Sequence, residues 1–270
     1  MAAAPELLGL GAPGTLLAVG LGAARTVPVT WLVSPLGGAR LPATARVAFG
    51  LLLAGLASPA LAAAAARAGL DRAGAAFLGL VLAREILVGL GVGLVVSFAF
   101  RAAEAAGRLV DVLRGASLAE VLVPTSDERA SPVGALYVLL ATLVFLELGG
   151  VPRLLAALLA SYEAVPLAGA ITAANLRGAA WVVATASARL LTAALALAAP
   201  VVVALWLTDL ALGMVARVAP QVPVYFVGLP AKGLLAVGIV LVGLGALEHA
   251  LAAQAGSWVD LARGLLAVWS

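Results

Sequence analysis

Long apolar runs, separated by short groups of charged or turn-forming residues, fill this sequence and constrain its fold more than any other feature. Hydrophobic residues make up 64% of the 270 residues and charged residues only 11%, whereas soluble domains are about 45–50% apolar and 25% charged. Six runs approach the roughly 20 residues that a membrane-spanning helix needs: 7–24, 45–66, 77–100, 131–149, 179–207 and 233–250. The sequence therefore predicts an all-α, polytopic membrane protein with about six hydrophobic helices.

Charges and prolines set the expected limits of these helices. The first run is expected to be a retained spanning helix that ends before Arg25, since the N terminus lacks the positive region of a secretory signal. The run 179–207 is long enough to bend at Pro200, which cannot donate a backbone hydrogen bond. Two further apolar stretches, 151–169 and 218–231, contain prolines that limit them to short or re-entrant pieces.

Small residues indicate how the helices pack. Alanine and glycine supply much of the apolar content while aromatic residues are 5%, so the helices can approach closely. Gly89 and Gly93, four residues apart, are expected to form such a packing face. We expect a single membrane domain over residues 1–270, with an amphipathic helix and a loop at about 101–130 and a C-terminal helical hairpin at about 179–252.

The residues with reactive or metal-binding side chains are few. The chain has no cysteine and one histidine, which excludes disulfides, thiolate zinc sites and a cysteine nucleophile. Ser117 with His249 loosely resembles the pair of an intramembrane protease, but the flanking residues lack a nucleophile-elbow pattern. The basic residues are scattered along the chain, so no nucleic-acid surface is predicted. We therefore expect no metal ion, no cofactor and no catalytic residue, and hence no enzyme.

Four charges lie inside or at the edge of the apolar runs: Arg84, Glu85, Glu147 and Arg189. A charge that faces lipid costs about 2.5–3.5 kcal/mol on insertion scales, so these side chains should face protein or water. They either pair between helices to fix assembly or line a pore. Arg84 and Glu85 are neighbours that point in different directions on a helix, so we expect separate partners for them.

A regular row of charges follows the third run. Residues of alternating sign recur at steps of three or four: Arg101, Glu104, Arg108, Asp111 and Arg114. This spacing places them on one face of a helix, with Ala102, Ala106, Leu109 and Leu113 opposite, and so predicts an amphipathic continuation. The small and aliphatic loop 115–124 comes next. A loop this apolar must be buried against something.

Several separated motifs resemble the T-type export-gate subunit of type III secretion systems, the SctT/FliR family. The most specific motif is residues 106–117, AGRLVDVLRGAS, with SPVG at 131–134 downstream. In chain order the others begin at Arg25, at Arg84, at Ser161, and at Pro220-Gln221, the last of these leading to Lys232. The likeness covers about residues 25 to 250 and is closer to the injectisome branch than to the flagellar one.

The resemblance implies a non-enzymatic, multi-pass component of the bacterial inner membrane, within the basal body of the secretion system. Its implied partners are R-type and S-type export-gate subunits, the switch subunit and the large export-gate protein, and unfolded secreted proteins would pass through the assembly. The alternative that the residues leave open is a stand-alone membrane transporter or channel, in which Arg84, Glu147 and Arg189 coordinate a small solute.

The resemblance also implies a loop that closes the pore from inside. Here it maps to residues 107–125, the plug segment, where the apolar loop already requires burial. Gly107 and Gly115 are expected to let the plug segment turn. The other residues expected to form the plug are Ser117, Leu118, Val121, Leu122 and Pro124. Of these, Leu118, Val121 and Leu122 would occlude the lumen until substrate displaces them.

Overall fold

The computed structural model describes residues 13–34, 41–70, 73–116, 131–167, 169, 172–221 and 223–269. Within these ranges the chain forms nine α-helices: α1 (Pro13–Leu32), α2 (Ala43–Leu56), α3 (Ser58–Arg67), α4 (Ala75–Leu113), α5 (Pro132–Glu147), α6 (Gly150–Ala164), α7 (Ala173–Val218), α8 (Val224–Val242) and α9 (Leu244–Trp269). Four of them, α1, α4, α7 and α8, are long and apolar enough to cross a membrane. The number rises to six if α2 with α3 and α5 with α6 each count as one broken span. The all-α, polytopic prediction is confirmed.

The first predicted helix boundary is wrong. We expected the first run to end before Arg25, but α1 continues through Arg25 and Pro28 to Leu32. The arginine is accommodated inside the helix because its side chain is fully buried and paired, as described below. A charge therefore does not mark a helix end when a partner lies within reach in the folded protein.

The prediction that prolines limit two apolar stretches to short or re-entrant pieces is correct for one stretch and wrong for the other. The stretch 151–169 does give a short helix, α6, which follows a break at Gly149, where φ is +66°. The stretch 218–231 does not, because α8 runs through Pro230 as one helix to Val242. Proline inside a membrane helix is tolerated when neighbouring groups satisfy the freed carbonyl. The sixth predicted run, 233–250, is divided at Gly243, which lies between α8 and α9.

The chain divides into two compact units. The first consists of Met1–Phe98, Phe145–Ser187 and Ala255–Ser270, and the second of Ala99–Val144 and Ala188–Gln254. In the first unit α2 and α3 meet at an angle of 68°. Leu21, Leu61 and Tyr162 belong to its buried apolar core. Hydroxyl groups add hydrogen bonds between helices there, since Thr26 Oγ1 donates to the Gly50 carbonyl of α2 at 2.7 Å.

The predicted packing face of Gly89 and Gly93 is confirmed in the first unit. A methyl group on Gly89 would collide with the backbone carbonyl of Arg25. One on Gly93 would lie 3.0 Å from the Cα of Val29. The backbones of α1 and α4 therefore touch at this face, which places the side chains of Arg25 and of the residues just before Gly89 within reach of one another.

Candidate functional site

Three buried charges form a cluster in the first unit, here called the arginine cluster: Arg25 of α1, and Arg84 and Glu85 of α4. Their side chains are 0%, 2% and 0% exposed. Arg25 Nε donates to Glu85 Oε2 at 2.6 Å, and Arg84 Nη1 lies 3.5 Å from Glu85 Oε1. Two guanidinium groups therefore share one carboxylate inside a region where an unpaired charge is costly.

The same two arginines bind the C-terminal end of α6. Arg25 Nη1 donates to the carbonyl and to the hydroxyl of Ser161, at 2.8 and 3.0 Å. Its Nη2 donates to the carbonyl of Val165 at 2.9 Å, and Arg84 Nη1 donates to that of Pro166 at 2.6 Å. The last carbonyls of a helix have no N–H partner within it, so buried arginines satisfy them where water cannot. The cluster thus holds α1, α4 and the end of α6 together.

Tyr162 completes this arrangement. Its ring centroid is 4.5 Å from Cζ of Arg25, which is a cation–π distance. Its hydroxyl donates to the carbonyl of Gly22 in α1 at 2.9 Å. The tyrosine therefore adds a second link between α6 and α1.

The four charges inside or at the edge of the apolar runs fall into two groups, one buried and one exposed. Arg84 and Glu85 are buried, and they do make hydrogen bonds to separate partners, Pro166 and Arg25. Their positions on α4 nevertheless let them approach each other to 3.5 Å. Within the described residues, Arg84 Nε and Glu85 Oε1 are buried without a hydrogen-bond partner. Glu147 and Arg189 are exposed on the single chain.

The predicted row of charges lies on α4 and the turn after it, in the second unit. Arg108 pairs with Glu104 at 2.6 Å and Arg114 pairs with Asp111 at 2.7 Å. Arg101 and Arg108 are exposed, while Ala102 and Ala106 on the other side are buried. Asp111 departs from the prediction of a uniform charged face because it is buried.

Asp111 is buried because it binds the start of α5. Its Oδ2 accepts a hydrogen bond from Ser131 Oγ at 2.6 Å and one from the Val133 backbone N–H at 3.0 Å. Ser131 in turn accepts from the N–H of Gly134 at 3.1 Å, as a helix N-cap does. A carboxylate at the first turn of a helix is also favoured by the helix dipole. Asp111 therefore joins the residues that precede and follow 117–130, which contain most of the predicted plug.

The two glycines of the plug segment behave differently. Gly115 has a φ of +86°, so it makes the turn after α4 as predicted. The same prediction for Gly107 is wrong, because Gly107 lies inside α4. A methyl group there would be 2.5 Å from the Cα of Gly134, so its role is close packing of α4 against α5. The remaining predicted plug residues, Ser117, Leu118, Val121, Leu122 and Pro124, lie outside the described residues.

The residues of the last family motif lie at and beyond the turn between α7 and α8. Pro220 and Gln221 are exposed in that turn. Lys232 lies in α8 and pairs with Asp209 of α7 at 2.7 Å. Asp209 is not among the four charges selected from the sequence, and it lies two residues beyond the predicted run 179–207.

The roles of Arg25, Ser161 and Tyr162 do not follow from the sequence patterns. These patterns put Arg25 just after the first helix and give Ser161 only as the start of a family motif. A usable signal was present, since Arg25 is the only charged residue of the sequence between Glu6 and Arg40. Among the described residues no group of three or more histidine or acidic side chains could hold a metal ion.

Comparison with known proteins decides the family. The profile of the family described as bacterial export proteins, family 1, matches residues 16–257. This chain belongs to that family. The resemblance to T-type export-gate subunits is thereby confirmed, and family membership together with the apolar helices makes the chain a multi-pass protein of the bacterial inner membrane.

The relatives of this chain include proteins named for translocation, for flagellar biosynthesis and for surface presentation of antigens. "Yop proteins translocation protein T" of Yersinia pestis is 35% identical over 157 residues, 58% of this chain and 60% of that protein. "Flagellar biosynthetic protein FliR" of Bacillus subtilis is 33% identical over 149 residues, 55% of this chain and 58% of that protein. "Surface presentation of antigens protein SpaR" of Shigella sonnei is 31% identical over 161 residues, 59% and 60% of the two chains. Each match thus spans about three fifths of the relative's length.

Proposed function

We propose that this chain is a non-enzymatic structural and channel component of a type III secretion export gate. Family membership and relatives named for translocation and flagellar biosynthesis support this proposal. The proposed partners are R-type and S-type export-gate subunits, the switch subunit and the large export-gate protein. Unfolded secreted proteins are the proposed substrates. Use in an injectisome stays a prediction, since relatives of both kinds match.

We further propose that the plug segment closes the pore. The observation that carries this step is Asp111, which binds both Arg114 before residues 117–130 and Ser131 after them. With both ends held, residues 117–130 would enter and leave the pore only as a closed loop. Fourteen residues that go out and come back reach at most about 25 Å from their anchors. Leu118, Val121 and Leu122 lie within this loop and would supply an apolar seal that a passing chain displaces.

The experiment is ion conductance through the assembled gate. Deleting residues 118–122 should raise the leak, because the loop loses its apolar side chains and part of its reach. A variant of unchanged length, with serine at Leu118, Val121 and Leu122, should leak as well, since it keeps the anchors but not the seal. Co-purification with the R-type and S-type subunits is the control for assembly. Unchanged conductance of both variants in intact assemblies would refute pore closure by this segment.

The stand-alone transporter receives less support. Its solute would need access to Arg84, but that side chain is 2% exposed and donates to the Pro166 carbonyl. Glu147 and Arg189 are exposed and lie in different compact units. A transporter would work as a monomer or homo-oligomer, so activity of the purified chain without the other subunits would favour it.

A further inference from the structure

A cavity of about 140 Å³ lies within the second unit. Tyr137 of α5 lines it. The other ten lining residues belong to α7, α8 and α9 and to Gly243, which separates the last two helices. All ten are aliphatic residues, glycine or proline, and small ones such as Ala196, Ala246 and Ala250 leave the space between the helices unfilled. The walls are therefore apolar except for one hydroxyl group.

The cavity has a buried floor and an exposed mouth. Tyr137, Leu197 and Val201 line it and are 2%, 5% and 3% exposed. Ala196 and Ala246 line it too, but they are exposed. A small molecule can therefore enter from the surface of the second unit and reach the tyrosine.

Two polar groups of this cavity lack their usual partners. Within the described ranges the Tyr137 hydroxyl makes no hydrogen bond, although a hydroxyl at such depth normally makes one. Pro200 has no N–H, so the carbonyl of Ala196, four residues before it in α7, lacks its regular helical donor. Both Ala196 and Pro200 line the cavity. A ligand that both accepts and donates a hydrogen bond suits this pair of groups.

The size and lining of the cavity restrict the ligand further. An apolar cavity of roughly 150 Å³ accepts benzene, whereas a water molecule takes only about 30 Å³. One water would thus leave most of the apolar wall uncovered. A hydrocarbon chain would cover the wall but leave the hydroxyl unpaired. No charged residue lines the cavity, so an ion would stay uncompensated.

We propose that this cavity binds a small neutral alcohol or phenol with about six carbon atoms. Its apolar body fills the space among α7, α8 and α9. Its hydroxyl accepts a hydrogen bond from Tyr137 and donates one to the carbonyl of Ala196. This site is separate from the plug segment, and the inference does not depend on the proposed function.

Photolabelling of membranes from cells that produce the complete apparatus tests this site. The probe is 3-azihexanol, a six-carbon alcohol whose diazirine gives a carbene on illumination. Mass spectrometry should find adducts on residues 239–250, which contain six of the lining residues. Excess hexanol should suppress these adducts, and hexane at the same membrane concentration should suppress them less because it has no hydroxyl. Adducts at Tyr225, which is 61% exposed and lies outside the cavity, should not respond to hexanol.

Two variants test the hydroxyl and the mouth separately. Tyr137→Phe keeps the shape of the wall and should lower the yield on 239–250 about threefold to tenfold, as expected for one lost hydrogen bond. Ala196→Leu narrows the mouth and should also lower it. The matched control is Ala199→Leu, at an exposed position of α7 that does not line the cavity, and it should leave the yield unchanged. The amount of chain in the membrane is measured for each variant.

Three results would overturn the proposal. No adduct on 239–250 would show that the cavity is closed or covered in the apparatus. Equal suppression by hexane and hexanol, with an unchanged yield for Tyr137→Phe, would show that the hydroxyl takes no part. Equal suppression at Tyr225 would show general partitioning of the probe. Conductance does not enter these measurements, so this proposal and pore closure can fail separately.

Discussion

Replacing Glu85 by glutamine should destabilise the protein strongly, because it removes the only carboxylate of the arginine cluster. Arg25 and Arg84 would stay buried, at 0% and 2% exposure, without a negative charge. Breaking a buried ion pair by removing one partner costs about 3–5 kcal/mol, since the other charge is left uncompensated. With roughly 2–4 °C per kcal/mol for a chain of this size, the melting temperature should fall by about 6–20 °C.

The same helix supplies a matched control. Glu104 pairs with Arg108 at the same 2.6 Å distance, but these side chains are 37% and 62% exposed. Glu104→Gln should therefore cost only about 0.3–0.5 kcal/mol. Melting of the purified protein in mild detergent, followed by tryptophan fluorescence, measures both variants, and the buried Trp258 reports on the first unit. Equal small shifts for the two variants would refute the argument that burial makes the Glu85 pair important.

Two further substitutions test contacts of the first unit, by the same melting assay. Gly89→Ala should destabilise by about 1–3 kcal/mol, because the added methyl meets the backbone carbonyl of Arg25. Gly79 in the same helix has open space around it, so Gly79→Ala should be neutral or stabilise the protein by up to about 1 kcal/mol. Destabilisation by both alanine variants would contradict the packing argument. Tyr162→Phe loses its hydrogen bond to the α1 backbone and should cost about 0.5–1.5 kcal/mol. Tyr225→Phe, at an exposed position, should change nothing measurable, and an equal loss there would count against the buried bond.

Local patterns in the sequence were sufficient for the helical class and for the faces of single helices. The length of the apolar runs predicts the spans, and the four-residue spacing of Gly89 and Gly93 predicts their packing face. The steps of three and four from Arg101 to Arg114 predict a charged helical face, on which Arg101 and Arg108 are exposed. These features depend only on the helical period of 3.6 residues, so they follow from the spacing of residues along the sequence.

Contacts between distant residues do not follow from these local patterns. Arg25 meets Glu85, 60 positions away, and Ser161, 136 positions away. Periodicity gives the side of a helix on which a charge lies, but it does not identify the partner helix. Proline was misleading for a related reason, since Pro230 interrupts a helix only if the freed carbonyl finds no other partner. The helical spacing predicts Asp111 on the charged face of α4, whereas Ser131, which buries it, lies 20 residues further along.

The arginine cluster has a consequence for how the chain is made. Translation produces Arg25 first, Glu85 only 60 residues later, and at 5–20 residues per second this takes about 3–12 s. During that interval α1 carries a guanidinium group without its counter-ion, which makes it a poor span by itself. We therefore expect that α1 waits at the insertion machinery, or at the membrane surface, and enters the bilayer together with α4.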